Sequence, residues 1–280
     1  MFKRVRSVVA AIIGTSLLLT ACSSEEKETK NNAKATNKNE TKQSIHLPYI
    51  AEIPTMDVTK ATDSESMNVM RNVFEGLYIL GEDNKVIPGV AKSYEVSEDK
   101  KTYTFHLRDS KWSNGIPVTA ADFVFSWKRA VNPDTAAEYA FLFFDIKNAK
   151  KINSKELPIG QLGVKAIDDH TLEQPVPYFI DLTTFATFLP INEKYFELKG
   201  KQYGLEADQL VYNGAFTLNN WKHEQGFQLK KNSNYWDAKT VKLDEINFDI
   251  VKDKSTEINL YEADQIDRVG LTGEFVDKYR

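Results

Sequence analysis

The pair in this sequence best placed for covalent chemistry is Ser97 followed three residues later by Lys100. In an S-x-x-K arrangement the lysine amine can take the serine proton and leave an oxygen nucleophile for acyl transfer. That chemistry needs the serine at the start of a helix and S-D-N and K-T-G elements elsewhere, and neither tripeptide occurs. Ser97 to Lys101 instead form a polar run between two alternating segments, Ser93–Val96 and Tyr103–Leu107, which predicts a hairpin turn. Asp168, Asp169 and His170 have the residue types of a metal set, but consecutive residues on a tight turn diverge, so a solvated turn is expected. The other histidines, His46, His106 and His223, lie far apart in sequence, and His106 is expected half-buried on a strand. G-x-S-x-G, H-E-x-x-H, P-loop and G-x-G-x-x-G patterns are all missing. The expectation is a protein without catalysis, metal or cofactor.

The elements that position these residues alternate between strand and helix. Ile45–Ile50 alternates as a strand, and Pro48 assigns it to an edge or a strand end. Asp63 or Ser64 can cap a helix carrying Met67, Met70, Val73, Phe74 and Leu77. Thr119 and Asp122 form a capping box for a helix through Val124, Trp127 and Val131 that must stop near Asn132 and Pro133. A second hairpin is expected from Gly163–Ile167 and Thr171–Glu173, and Phe227–Leu229 and Ile246–Ile250 read as further strands. The pattern predicts an α/β or α+β body. Phe123 and Trp127 are expected in the core, whereas Tyr139, Phe141, Phe143 and Phe144 follow a turn and are candidates for the aromatic wall of a cleft.

Composition narrows the class. The 280 residues hold 36 basic and 40 acidic side chains, 41% hydrophobic residues and one cysteine. This excludes a disordered chain, a collagen-like chain and a polytopic membrane protein. A single cysteine excludes an intrachain disulfide framework, and a net charge of -4 argues against nucleic acid as the main partner. Basic Lys3, Arg4 and Arg6, an apolar run from Val8 to Leu19, then Thr20 and Ala21 predict a secretory signal over residues 1–21. The apolar run is too short to span a bilayer as a helix. Leu19-Thr20-Ala21-Cys22 resembles the bacterial lipobox, which makes Cys22 the lipidation site and gives stable two-chain anchoring. Removing residues 1–21 takes away three basic side chains and shifts the formal charge from -4 to -7. Residues 22–44 then form a lipidated, polar tether that cannot bury enough surface to order itself, with a reach of roughly 25 Å.

Longer stretches carry a family resemblance. They are Lys101–Arg108 (KTYTFHLR) and Lys111–Arg129 (KWSNGIPVTAADFVFSWKR), together with Asn72–Leu77, Pro88–Ser93, Leu162–Leu172, Pro175–Phe179, Tyr212–Phe216 and Lys231–Asp237. In this order they resemble the oligopeptide-binding solute receptors of ABC importers. The resemblance implies an α/β, periplasmic-binding-protein-like fold (type II, cluster C) with mixed sheets. It implies a first lobe from residues 45–75 and 190–280, with a smaller inserted domain over 76–189. It also implies capture of oligopeptides, without cofactor or nucleic acid, by a monomer on the outer face of the cell membrane that hands them to ABC permease subunits. Glu52 and Ile53 fall where the family has a cleft strand that meets the peptide main chain. Tyr139 matches a tyrosine near bound peptide, and Phe185, Asn213 and Gly214 are further candidate peptide contacts. Relatives carry about four more residues after Glu173, so the second hairpin is expected to be short or poorly paired. Family members are also about twice as long, so the fold is expected to be incomplete at its C-terminus, with weak or no peptide binding. A peptide-pheromone receptor, or a non-transport surface lipoprotein acting as adhesin or decoy, are the alternatives.

Overall fold

The computed structural model describes residues 42–174 and 185–279. The expectations for the signal segment, Cys22, most of the tether and Pro175–Phe179 lie outside the described residues. In chain order the elements begin with β1 (Ser44–Tyr49), α1 (Ser64–Val73), β2 (Tyr78–Leu80), β3 (Val86–Pro88), β4 (Ala91–Val96) and β5 (Tyr103–Leu107). There follow α2 (Ala120–Val131), α3 (Ala149–Asn153), β6 (Lys165–Asp168), β7 (Thr171–Gln174) and α4 (Glu193–Lys199). The last are β8 (Phe216–Lys222), β9 (Gly226–Lys231), β10 (Glu245–Ile250), α5 (Lys254–Glu262) and α6 (Gly273–Val276). The described residues group as one compact unit.

Two four-stranded sheets carry the architecture, one in the order β1-β10-β9-β8 and one in the order β4-β5-β7-β6. β1 runs parallel to β10 at the edge of its sheet, where Pro48 removes no ladder donor on an inner strand. β10, β9 and β8 are antiparallel. The segment assigned to the tether is ordered earlier than expected. Ser44 is already in β1, and the Gln43 amide donates to Asp244 at 2.9 Å. In the second sheet β4 and β5 form the predicted hairpin around the Ser97 turn. β6 and β7 pair with a register shift between Ala166 and Asp168.

Helix α2 follows from its sequence. The Thr119 amide donates to Asp122 Oδ2 at 2.8 Å, satisfying an orphan group at the helix start. Ala120, Phe123, Ser126, Trp127, Ala130 and Val131 point inward, and Asn132 ends the helix before Pro133. Trp127 donates through Nε1 to the Phe188 carbonyl at 3.0 Å, and the Phe143 and Phe188 rings stack with centroids 4.2 Å apart. These aromatics are fully buried and supply the largest packing contribution in this region.

Helix α1 is shorter than its hydrophobic spacing implies. Asp63 caps it by accepting from the Ser66 amide at 2.7 Å, and Met70 and Val73 are buried as predicted. The helix stops at Val73, and Phe74 is extended. The cause is a distant segment: the Gly214 amide donates to the Val73 carbonyl at 2.9 Å, and the Asn213 side chain brackets the Glu75 backbone. Tertiary capping therefore overrides the periodicity that continues to Leu77.

Candidate functional site

The segment after β1 leaves the sheet. Residues 52–56 form no strand, which corrects the expectation that Glu52 and Ile53 sit on one. Ile53 is buried as a whole residue, main chain included, Pro54 is exposed, and Glu52 is partly covered. The Met56 amide donates to the Gly204 carbonyl at 2.8 Å. Gly204 has φ +81°, and a Cβ there would meet the Asp57 nitrogen at 2.5 Å, so this approach requires glycine. Asp57 is clamped by Arg129, whose two terminal nitrogens donate at 2.7 Å to its two oxygens. Both side chains are largely buried, and the guanidinium also lies over the Phe196 ring at 4.5 Å. This forked pair is the strong geometry for an ion pair and ties the segment to α2.

At its other end the segment is held by Glu52. Its carboxylate accepts from Trp221 Nε1 at 2.9 Å and from the Glu224 amide, and it lies 3.0 Å from His223 Nδ1. Burial pushes the Glu52 carboxyl up, but the bonds from Glu224, Trp221 and His223 outweigh it and leave it below the ordinary glutamate value. Between these anchors, the main-chain N–H and C=O groups of Glu52 and Ile53 have no hydrogen-bond partner among the described residues.

The remaining sequence candidates fall into different settings. Tyr139 is half-buried and donates from its hydroxyl to the Thr62 carbonyl at 3.1 Å, beside the start of α1. Its ring meets Phe141 edge-on at 5.9 Å, and Phe141 is exposed. Phe143, expected with these as a wall residue, is core. Phe185 is exposed and precedes the short turn at Ala186–Phe188. Asn213 is wholly buried. Its side chain accepts from the Glu75 amide at 3.0 Å and donates to the Glu75 carbonyl at 2.8 Å, so with the residue wholly buried it is committed to the Glu75 backbone. Gly214 approaches α1 so closely that a Cβ would lie 2.6 Å from the Val73 carbonyl carbon. Asn213 and Gly214 thus end a helix and do not join the Glu52 group.

Ser97 donates to Asp99 Oδ1 at 2.6 Å within the hairpin turn, where Lys100 takes a left-handed conformation. No helix begins there to support a nucleophile. The His170 amide donates to Asp168 at 2.8 Å in its own turn. Among the described residues no three His, Cys, Asp or Glu side chains form a metal-holding group, and no helix is long and apolar enough to cross a membrane.

Sequence reading missed Glu75. Its carboxylate takes the Tyr235 hydroxyl and Trp236 Nε1, the latter at 2.6 Å. The Arg108 guanidinium stacks 3.6 Å from the Trp236 ring centre. Burial raises the Glu75 carboxyl to about 7 against the pull of these donors. The available signal was an acid inside an apolar run, between Phe74 and Leu77.

With this geometry in hand, the family description "Bacterial extracellular solute-binding proteins, family 5 Middle" matches residues 85–280. The chain belongs to this family. It is 37% identical over 271 residues to the oligopeptide-binding protein OppA of Bacillus subtilis (strain 168), covering 95% of this chain and 49% of that protein. Among solved structures, the substrate-binding domain of an oligopeptide ABC transporter from Bacillus anthracis str. Ames is similar at 55% identity and a TM-score of 0.83. The match covers 85% of this chain and 47% of the other. Listeria monocytogenes OppA bound to peptide is similar at 41% identity and a TM-score of 0.82, with 85% and 48% covered. The chain spans about half the length of the relatives it matches. The fold is that of the periplasmic-binding-protein-like solute receptors, as the family resemblance implied.

Proposed function

We propose that this family 5 chain captures oligopeptides outside the cytoplasm for an ABC importer, with the Glu52–Ile53 main chain as a docking edge for an extended peptide, entered from the partly exposed Glu52 and reaching buried Ile53 only as the segment yields. The observation that carries this reading is that backbone: unpaired among the described residues, yet held between the Glu52 carboxylate cluster and the Asp57–Arg129 clamp. Strand addition needs such free main-chain groups in a fixed frame, and pre-anchoring lowers the ordering cost of binding. Tyr139 and Phe185 are proposed to line the same site, and the reaction is capture without bond cleavage. The residues covered supply one wall of the site, divided into a lobe from 45–75 and 190–280 and an insertion over 76–189. Residues 1–21 are proposed as a secretory signal and Cys22 as the lipid anchor, on the strength of the Leu19–Cys22 pattern.

Because the residues covered supply one wall, binding should be weak: calorimetric titration of the full chain with pooled tri- to pentapeptides at millimolar concentration should show a small saturable heat that free amino acids do not give. An identical response to both would sink the reading. Metabolic labelling with a fatty-acid analogue should mark the protein and fail to mark Cys22→Ser; equal labelling of both would remove the anchor from the proposal.

A further inference from the structure

His223 stands between two carboxylates from different parts of the chain. Its Nδ1 lies 3.0 Å from Glu52 Oε1, and its Nε2 lies 3.4 Å from Glu206 Oε1. A neutral imidazole has one N–H, so it can donate to only one of them and must turn a lone pair toward the other. The imidazolium satisfies both. We propose that protonated His223 is a positioning residue for the proposed peptide edge, locking Glu52 against the β8–β9 turn so that the Glu52 and Ile53 main chain is held for a ligand. This rests on the peptide-docking reading above.

The surroundings are consistent with one proton deciding the state. The Trp221 ring lies 4.6 Å from the imidazole, and its Nε1 donates to the same Glu52 oxygen. From the turn itself, Glu224 offers its amide to Glu52 while its carboxylate pairs with Lys252 at 2.7 Å. Lys252, from the segment after β10, also feels the Glu52 charge, which with Glu224 holds its proton on above the ordinary lysine value, the Glu224 bond being the larger cause. The charged groups around the imidazole are therefore Glu52, Glu206, and the Glu224–Lys252 pair. The bond to Glu52, opposed by burial and reinforced by Glu206, keeps the His223 proton on above the ordinary histidine value. Above that midpoint the ring keeps one N–H, which the shorter Glu52 contact retains, so the bridge from Glu52 through the ring to Glu206 is broken and the end of the segment loosens.

The test follows Trp221 by its indole N–H resonance and His223 by its ring resonances, in the full chain, from pH 5 to 9. In the wild type the two should titrate with one midpoint. Glu206→Gln should lower both midpoints together, and His223→Gln should leave the indole resonance silent. Amide exchange at Glu52 and Ile53, corrected for intrinsic rate, should rise by roughly threefold or more above the midpoint. An indole resonance that ignores pH in the wild type, or that titrates unchanged in His223→Gln, overturns the proposal. A second arm titrates pooled tetrapeptides at pH 6 and pH 9. Affinity should be several-fold weaker at pH 9 in the wild type and equal at both pH values in His223→Gln. Peptide binding that is insensitive to pH in the wild type refutes the control of ligand by His223. If peptide never binds but the Trp221 and His223 titrations stay coupled, the docking reading fails while the hold of His223 on the segment stands.

Discussion

Replacing Glu75 by glutamine should change how stability depends on pH, and the structure fixes both the sign and the size. The Glu75 carboxyl lies at about 7 in the folded chain against 4.5 as its ordinary value, because burial disfavours the charged form. A carboxyl raised in this way binds its proton more tightly folded than unfolded. Its stabilising contribution is therefore complete below about pH 4.5 and is lost as pH rises to 7. A rise from 4.5 to about 7 corresponds to about 3 kcal/mol. Glutamine keeps an acceptor for Trp236 Nε1 and carries no titration. Urea unfolding of both proteins at intervals between pH 4.5 and pH 8, read by tryptophan fluorescence, isolates the effect in their difference. Asp122, raised by burial to about 6, titrates in both and cancels. The wild type should lose about 3 kcal/mol relative to Glu75→Gln over this interval. A difference that stays constant with pH would refute the reasoning, since it would mean that folding leaves the proton affinity of Glu75 unchanged.

Other contacts make separate predictions. Arg129→Met should destabilise by about 3–5 kcal/mol in urea unfolding, because Asp57 remains buried without its partner; a loss under about 1 kcal/mol would show that water replaces the guanidinium. Asn213→Ala removes both bonds to the Glu75 backbone. It should cost about 2–4 kcal/mol and raise amide exchange at Glu75, an effect unchanged exchange would contradict. Thr119→Ala should cost about 1 kcal/mol through the start of α2, checked by thermal unfolding.

The local elements were legible because their signals are local. Asp63, Thr119 and Asp122 cap where sequence places caps, Pro48 lies on an edge strand, and the hairpin around Ser97 forms between its two alternating runs. The length of α1 was not legible, because it is set by Asn213 and Gly214, which approach from far along the chain. The same holds at the site. Glu52 could be named from its place in the family pattern. Its partners Trp221, His223 and Glu224 lie about 170 residues away, and no spacing links them. The strand expected at Glu52 and Ile53 failed for a related reason: Gly204 and Asp57 draw the chain away from the sheet just after β1. Asn213 was a candidate through the family resemblance, and a resemblance does not reveal that its side chain is already engaged by the Glu75 backbone on both sides.

Amide chemical shifts of the full chain, recorded with and without a pool of extended tetrapeptides, test the docking edge most directly. The Glu52 and Ile53 amides should show the largest saturable shifts, with smaller changes at Trp221 and Tyr139. Saturable binding whose shifts leave Glu52 and Ile53 untouched would contradict the proposed edge, as would the lack of any shift at millimolar peptide.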